Sequence, residues 1–143
     1  MPQGALWCVG LAAQTAVLEV AGVEAELKWP NDLMVWERKL AGILAEVVEA
    51  ATEAPAVVVG IGVNVGWPSP PPEVAARAVT LAELTGRSIE RADLLRALLG
   101  ALRPLLDLLK GRFQFVQCVV PGFVDPGRLA RRTHERTCEQ VRQ

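Results

Sequence analysis

The pattern of apolar and polar positions divides most of the chain into alternating helices and strands. Residues 4–21 carry apolar side chains at a spacing near 3.6 and end before Gly22, which predicts a helix. Four short apolar runs, bounded by glycine, proline or charged residues, are interpreted as strands: residues 25–28, 33–36, 39–50 and 56–65. The sequence therefore predicts a fold that begins on a helix and continues into a β-hairpin.

Two further helices are predicted after the last of these strands. Thr80 and Glu83 have the spacing of a capping box, and Gly86 is expected to end the short helix that they begin. Ser88 is expected to cap the next helix, whose buried stripe is rich in leucine. Pro104 lies inside this helix and is expected to kink it or to end its first part.

Composition restricts the class of protein. A chain of 143 residues, 51% hydrophobic and 22% charged, suits one folded domain, for which we assign residues 1–115, followed by an irregular tail at 116–143. A net charge of −1 gives no basic field for nucleic acid, and no uninterrupted apolar run is long enough to span a membrane. Three widely spaced cysteines and one histidine favour reduced thiols and a cytoplasmic location over disulfides or a histidine-based metal site.

The strand at 56–65 has two different faces. One face is β-branched and suits a core; it consists of Val57, Val59, Ile61, Val63 and Val65. The other face carries two glycines and an amide; it consists of Ala56, Val58, Gly60, Gly62 and Asn64. Because glycine has no side chain beyond hydrogen, the second face leaves room for a ligand to lie against the backbone.

The stretch 28–44 combines an apolar hairpin with an unusual set of polar residues: Lys28, Asn31, Asp32 and Lys39. Lys39 begins a strand that is expected to run into the core, and burying an unpaired ammonium is unfavourable. We therefore expect Lys39 to have an anionic partner, either Asp32 across the hairpin or a ligand phosphate or carboxylate. Gly42 lies three residues further on and permits a close approach to the backbone.

Each of these features also has a common structural interpretation. A lysine such as Lys39 often protects a hairpin edge, and Asn31-Asp32 after a proline is ordinary turn chemistry. Gly60 and Gly62 alone would indicate a bulge or close packing. We expect the tryptophans to be packing residues: Trp7, Trp29, Trp36 and Trp67.

In combination, the motifs KWPND, KLAGIL and GIGVN resemble the catalytic domain of biotin protein ligases over roughly residues 5–110. The resemblance implies an α/β fold with a mixed β-sheet flanked by helices. It implies a ligase that condenses biotin with ATP to biotinyl-5′-AMP, with Mg²⁺ accompanying ATP. Biotin is then transferred to a lysine of a biotin carboxyl carrier domain, such as that of acetyl-CoA carboxylase. Members of the family often form homodimers.

The resemblance also implies roles for individual residues. Lys39 is similar to the family's essential lysine, which contacts the biotin carboxyl group and the α-phosphate. Asp32 is similar to the carboxylate that helps to activate the acceptor lysine. Asn31 would hydrogen-bond near the adenylate, and Lys28 would support the phosphates. The remaining implied contacts are those of Gly42 and Leu44 with biotin, and of Gly60, Gly62 and Asn64 with the nucleotide.

One motif of the family has no counterpart here. A Gly/Arg-rich loop of the type GRGRxGR lies upstream of the family's first helix, and residues 1–6 do not match it. We therefore expect the chain to correspond to a catalytic domain truncated at its N-terminus. Two alternatives stay open: a lipoate ligase-like protein, against which KWPND argues, and a non-catalytic remnant or binding module. No segment typical of DNA binding precedes the domain, so a repressor role is not expected.

Overall fold

The computed structural model describes residues 3–48, 56–109 and 114–117, which form a mixed α/β arrangement. The described elements, in chain order, are α1 (Gln3–Ala21), β1 (Glu26–Lys28), β2 (Asp32–Val35), β3 (Arg38–Val48), β4 (Ala56–Val63), α2 (Pro72–Ala75), α3 (Leu81–Thr85), α4 (Arg91–Leu109) and β5 (Gln114–Gln117). The initial helix and the following hairpin lie where the hydrophobic pattern predicts them.

The strands form one sheet in the order β1-β2-β3-β4-β5. Neighbours are antiparallel from β1 to β4, whereas β5 runs parallel to β4, so the sheet is mixed as predicted. Helix α1 packs against the sheet, and α4 packs against α1. The buried face of α1 consists largely of small residues, which allow the helix to lie close to both neighbours: Ala5, Val9, Ala12, Ala13, Ala16 and Val17.

Helix α1 is the one described helix with the length and apolar composition needed to cross a membrane, over Gly4–Ala21. The prediction of no spanning segment considered only uninterrupted apolar runs, which this helix lacks. In the structure, 39% of this window is buried, and its buried residues belong to the same core as the sheet. Core helices of folded domains have the same length and composition.

Local sequence signals predict the C-terminal ends of α1 and α3 and the N-terminal cap of α3. Gly22 follows α1 with φ +66°, and Gly86 follows α3 with φ +67°, both in the left-handed region that favours glycine. The Thr80 hydroxyl accepts a hydrogen bond from the backbone N–H of Glu83 at 3.1 Å, so the predicted cap of α3 is confirmed.

We expect Gly22→Ala to lower the free energy of unfolding by about 1 kcal/mol, because a Cβ is unfavourable at this positive φ. Gly100→Ala is the matched control, since Gly100 lies inside α4 with nothing within 4 Å of the added Cβ. There alanine is expected to stabilise the helix by up to about 1 kcal/mol. Urea unfolding followed by circular dichroism compares the two. Equal effects of the same sign would contradict the prediction.

Helix α4 differs from the prediction at its start, and it contains Pro104. Ser88 does not cap this helix; the helix follows Glu90, whose carbonyl accepts the first hydrogen bonds. Pro104 does not end the helix, because α4 continues through it as a single element; the other expected outcome, a kink at Pro104, stays a prediction. Leu98 and Leu102 are buried on the turns before the proline, and their packing in the core offsets the hydrogen bond that proline cannot donate.

The predicted tail overlaps a strand. Strand β5 ends at Gln117 and pairs with β4, so the boundary drawn at residue 116 falls inside the sheet. Cys118, His134 and Cys138 lie outside the described residues, as does the rest of the tail. The division into residues 1–115 and 116–143 stays a prediction.

Most of the tryptophans are not packing residues, contrary to the prediction. Trp36 is 77% exposed and Trp29 is 69% exposed, and Trp7 is also exposed. Trp36 lies at φ +52° in the turn between β2 and β3, and Trp29 forms a cis peptide bond with Pro30 in the turn between β1 and β2. Both side chains leave the sheet at turns, away from the core.

Candidate functional site

A β-bulge in the hairpin β2–β3 determines the direction of the Lys39 side chain. Leu33 pairs with Ala41, but the next residue of β2, Met34, pairs with Lys39, so Leu40 is an extra residue in β3. Side chains alternate between the two faces of a regular strand, and one extra residue shifts this alternation by one position. Leu40 itself is fully buried.

The bulge brings Lys39 and Gly42 to the same face of the sheet, although they lie three residues apart. Asp32 pairs directly with Gly42 across the hairpin and therefore shares that face. The Lys39 Nζ atom lies 2.6 Å from Asp32 Oδ1. A Cβ added at Gly42 would lie 3.1 Å from both Cε and Nζ of Lys39, which shows that the lysine side chain extends over the glycine.

The ion pair between Lys39 and Asp32 is partly accessible, with 44% and 28% of the two side chains exposed. At this exposure it contributes about 1 kcal/mol or less to folding. Within the described residues, Asp32 Oδ1 is buried and has no hydrogen bond in addition to this ion pair. Of the two anions that the sequence left open for Lys39, Asp32 is therefore the partner present in the folded chain.

An open strip of backbone lies beside the ion pair. Gly42, the partner of Asp32, also pairs with Gly62 on β4. Two residues further along β3, Leu44 pairs with Gly60. A Cβ at Gly60 or Gly62 would meet nothing within 4 Å. The opposite face of β4 is buried in the core through Val57, Val59 and Ile61. The two-faced character predicted for this strand is confirmed at Gly60 and Gly62, whereas Val58, which belongs to the same face, is buried.

Two more of the predicted residues lie at the turn that opens β2. Lys28 is exposed and pairs with Asp32 in the β1–β2 register. The carbonyl of Asn31 accepts a hydrogen bond from the N–H of Ile43 at 2.8 Å, which joins the turn to β3. A small cleft separates this turn from the start of α1; it is lined by Leu6, Trp7, Leu27, Lys28, Trp29, Pro30, Asn31, Asp32 and Ile43.

Asn64 has a contact that the sequence did not indicate. Its side-chain Nδ2 donates a hydrogen bond to the backbone carbonyl of Lys39 at 3.0 Å. The expected contact of Asn64 with a nucleotide stays a prediction. Arg38 was also missed: its guanidinium lies 2.7 Å from Glu83 Oε1 and joins the hairpin to α3. Spacing does not predict such contacts, because the partners are distant along the chain.

Other chemistries find less support in the described part of the chain. No group of three or more histidine, cysteine, aspartate or glutamate side chains there could hold a metal ion. Cys8 is a free thiol on α1, and burial raises the pKa of this thiol, so it stays protonated. The cation at Lys39 and the glycine strip instead suit an anionic ligand lying along the backbone. A fixed cation there offsets the repulsion between a carboxylate and a phosphate.

Comparisons with known proteins show which enzymes the chain is similar to. Residues 5–64 match the Biotin/lipoate A/B protein ligase family. The bifunctional ligase/repressor BirA of Bacillus spizizenii is 34% identical over 95 residues, which are 62% of this chain and 29% of that protein. The biotin–[acetyl-CoA-carboxylase] ligase of Mycobacterium tuberculosis is 38% identical over 109 residues, covering 71% of this chain and 38% of that protein.

Solved structures give the same result. The biotin protein ligase from Aquifex aeolicus in complex with biotin and ATP matches with a TM-score of 0.66 and 32% identity, over 78% of this chain and 46% of that one. Its apo structure matches with a TM-score of 0.67 and 31% identity, over 78% of this chain and 48% of that one. The chain thus spans under half of these relatives. The chain is therefore similar to part of the catalytic domain of biotin protein ligases, and the ion pair and the glycine strip lie within residues 5–64, which match the family.

Proposed function

We propose that the chain forms part of the adenylate-binding site of an ATP-dependent biotin protein ligase. The observation that carries this proposal is the Lys39–Asp32 ion pair over Gly42, next to an open strip of backbone, within the residues that match the family. The substrates are biotin and ATP, both of which are present in the solved complex of the Aquifex aeolicus protein. The acceptor is a lysine of a biotin carboxyl carrier domain of the acetyl-CoA carboxylase type.

In the first step, a carboxylate oxygen of biotin attacks the α-phosphorus of ATP, and the bond from that phosphorus to pyrophosphate breaks. Two anionic groups must meet, so a fixed positive charge between them lowers the barrier. Lys39 has this role in the proposal, and Asp32 holds its ammonium over Gly42 before the substrates bind. Lys28, exposed on β1, supports the phosphates.

In the second step, the neutral amine of the acceptor lysine attacks the carbonyl carbon of the mixed anhydride. The bond to AMP breaks, and the amine proton passes to a base. Asp32 is the proposed base, and Asn31 holds the adenylate nearby. The proposed binding contacts along the strip are those of Gly42 and Leu44 with biotin, and of Gly60, Gly62 and Asn64 with the nucleotide.

Mg²⁺ enters the proposal as a companion of ATP. The described side chains do not form a group that could hold a metal ion unaided, and Asp32 is engaged with Lys39. Mg²⁺ is commonly bound through substrate phosphates with only one or two protein carboxylates. Its contribution is to reduce the charge of the phosphates. The residues described here do not form a site of their own for it.

The direct test is biotin-dependent exchange of labelled pyrophosphate into ATP, measured on the purified chain. Exchange that requires biotin supports adenylate formation by this chain. No exchange above a reaction without biotin would reject an autonomous enzyme. Replacing biotin by lipoate in the same assay tests the lipoate ligase-like alternative, since the matched family includes both classes.

A non-catalytic binding module is the second candidate, because the open strip beside the Lys39–Asp32 ion pair could bind an adenylate without catalysing its formation. A module of this kind would bind a non-hydrolysable biotinyl-adenylate analogue without catalysing exchange. Isothermal titration calorimetry with this analogue separates the module from a chain that binds nothing.

We expect Gly62→Ala to weaken binding of the same analogue about tenfold or more, because the new methyl group occupies the open strip where the ligand would lie. The free chain has nothing within 4 Å of this position, so its stability is not expected to fall. Gly100→Ala on α4 adds a methyl group in equally open space away from the strip and is expected to leave binding unchanged. Equal binding by both variants would remove the strip from the proposed site.

A cytoplasmic location and a homodimer complete the proposal. The two proposed reaction steps depend on neither the location nor the dimer. Sedimentation equilibrium of the purified chain determines the oligomeric state directly, and a monomer at all concentrations would reject the dimer.

A further inference from the structure

The backbone carbonyl of Lys39 is held by two donors outside the β2–β3 hairpin. The N–H of Val79 donates to it at 3.0 Å, and the side-chain amide of Asn64 donates to it at 3.0 Å. The N–H of Lys39 donates in turn to the carbonyl of Arg77 at 2.8 Å. Strand β4 ends at Val63, and beyond that point the main chain of Lys39 is hydrogen-bonded to residues 77–79 in its place.

Asn64 contacts both residues of the bulge. Its backbone N–H donates to the carbonyl of Leu40 at 2.8 Å, in addition to the side-chain bond to Lys39. Its own carbonyl accepts from the N–H of Leu81 at 2.9 Å, which fixes Asn64 to the start of α3. A bulge disrupts the ladder and leaves backbone groups without their usual partners. The amide of Asn64 adds a second donor to the carbonyl of Lys39, which also accepts from the N–H of Val79.

We propose that Asn64 is a positioning residue for Lys39. Its amide fixes the bulge, and the fixed bulge directs the ammonium over Gly42 toward Asp32. Asn64 thus acts on the reacting groups through Lys39. This role differs from the nucleotide contact that the family resemblance implies. The use of Lys39 in adenylate chemistry rests on the proposed function, whereas the positioning of its side chain does not.

The chain permits a test that does not require ligase activity. It contains three lysines, which are Lys28, Lys39 and Lys110. Reductive methylation with formaldehyde, followed by mass spectrometry of peptides, gives a separate rate for each. Lys28 is exposed and provides the internal reference. In the wild-type chain Lys39 is expected to react more slowly than Lys28, because its amine is held against a carboxylate.

Asn64→Ala is expected to raise the rate of Lys39 relative to Lys28 by about threefold to tenfold, the factor that corresponds to loss of one hydrogen bond. Asn64→Ser is a second variant, because a hydroxyl is too short to replace the amide; it is expected to give a similar increase. Asp32→Asn removes the ion pair directly and gives the rate of an unpaired Lys39. Thr80→Ala is the matched control: Thr80 is buried, and its hydroxyl accepts a partly buried hydrogen bond from the N–H of Glu83 that does not involve the bulge.

The proposal is supported if both Asn64 variants raise the ratio and Thr80→Ala does not. It is overturned if the Asn64 variants leave the ratio of the Lys39 and Lys28 rates unchanged. It is also overturned if Thr80→Ala raises this ratio equally, because the increase would then reflect a general loss of structure around the site. It is also overturned if Asp32→Asn has no effect, because the ion pair to be positioned is then not populated. Circular dichroism confirms that each variant is folded.

Kinetics provide a second, independent readout. In a chain with exchange activity, Asn64→Ala is expected to lower kcat at an unchanged KM for ATP. A higher KM for ATP at an unchanged kcat would overturn positioning in favour of a nucleotide contact. Absence of exchange in the wild-type chain rejects autonomous activity, and the lysine ratios alone then decide the role of Asn64.

Discussion

Replacing Lys39 by alanine is expected to lower biotin-dependent ATP–pyrophosphate exchange by about a hundredfold to a thousandfold, the range found when a preorganised electrostatic contact is removed. The ammonium lies over Gly42 at the open strip, where it would separate the biotin carboxylate from the α-phosphate. Its loss raises the barrier for their approach more than it weakens binding of either substrate, so the effect is expected mainly in kcat.

Two further variants show whether charge alone is sufficient. Lys39→Arg keeps the positive charge but replaces a compact ammonium by a planar guanidinium, and we expect only partial recovery of exchange. Arg103→Ala removes one exposed cation from α4, away from the site, and is expected to have no effect. Exchange that survives Lys39→Ala at the wild-type rate would contradict the proposed role of this lysine.

The secondary structure could be predicted where its cause is local. The helix at 4–21 and the strand at 56–65 follow from apolar spacing, and Gly22 and Gly86 end helices because they tolerate a positive φ. Ser88 was misassigned because it has a good capping side chain, whereas α4 begins at Arg91, after Glu90.

The bulge could not be predicted, because it depends on how two strands pair. In a regular strand, Lys39 and Gly42 would face opposite sides of the sheet because they are three residues apart. Only the pairing with β2 shows the extra residue, Leu40, that brings them to one face. The motifs therefore indicated which residues form the site, and the fold explains how Lys39 comes to lie beside Asp32.

Contacts across long stretches of sequence account for most of what the motifs missed. The amide of Asn64 and the N–H of Val79 meet the carbonyl of Lys39 because the chain after β4 returns to β3. Arg38 meets Glu83 for the same reason. Neither distance along the sequence nor residue type predicts these pairs, whereas the topology brings them together.

Leu40 contributes both to the stability of the fold and to the geometry of the site. Leu40 is fully buried in the core, and it is also the extra residue of the bulge. Leu44 lies four positions later on the same strand and is 57% exposed. Replacing each leucine by alanine therefore compares the loss of a buried side chain with the loss of an exposed one on the same strand.

We expect Leu40→Ala to lower the free energy of unfolding by about 2–5 kcal/mol, because it removes a buried side chain and leaves a cavity that the core fills only in part. Leu44→Ala is expected to change the same quantity by no more than about 0.5 kcal/mol. Urea unfolding followed by circular dichroism measures both. A domain of this size has a stability of about 5–15 kcal/mol, so the first change is a large fraction of the total. Similar losses at both positions would contradict the burial of Leu40 at the bulge.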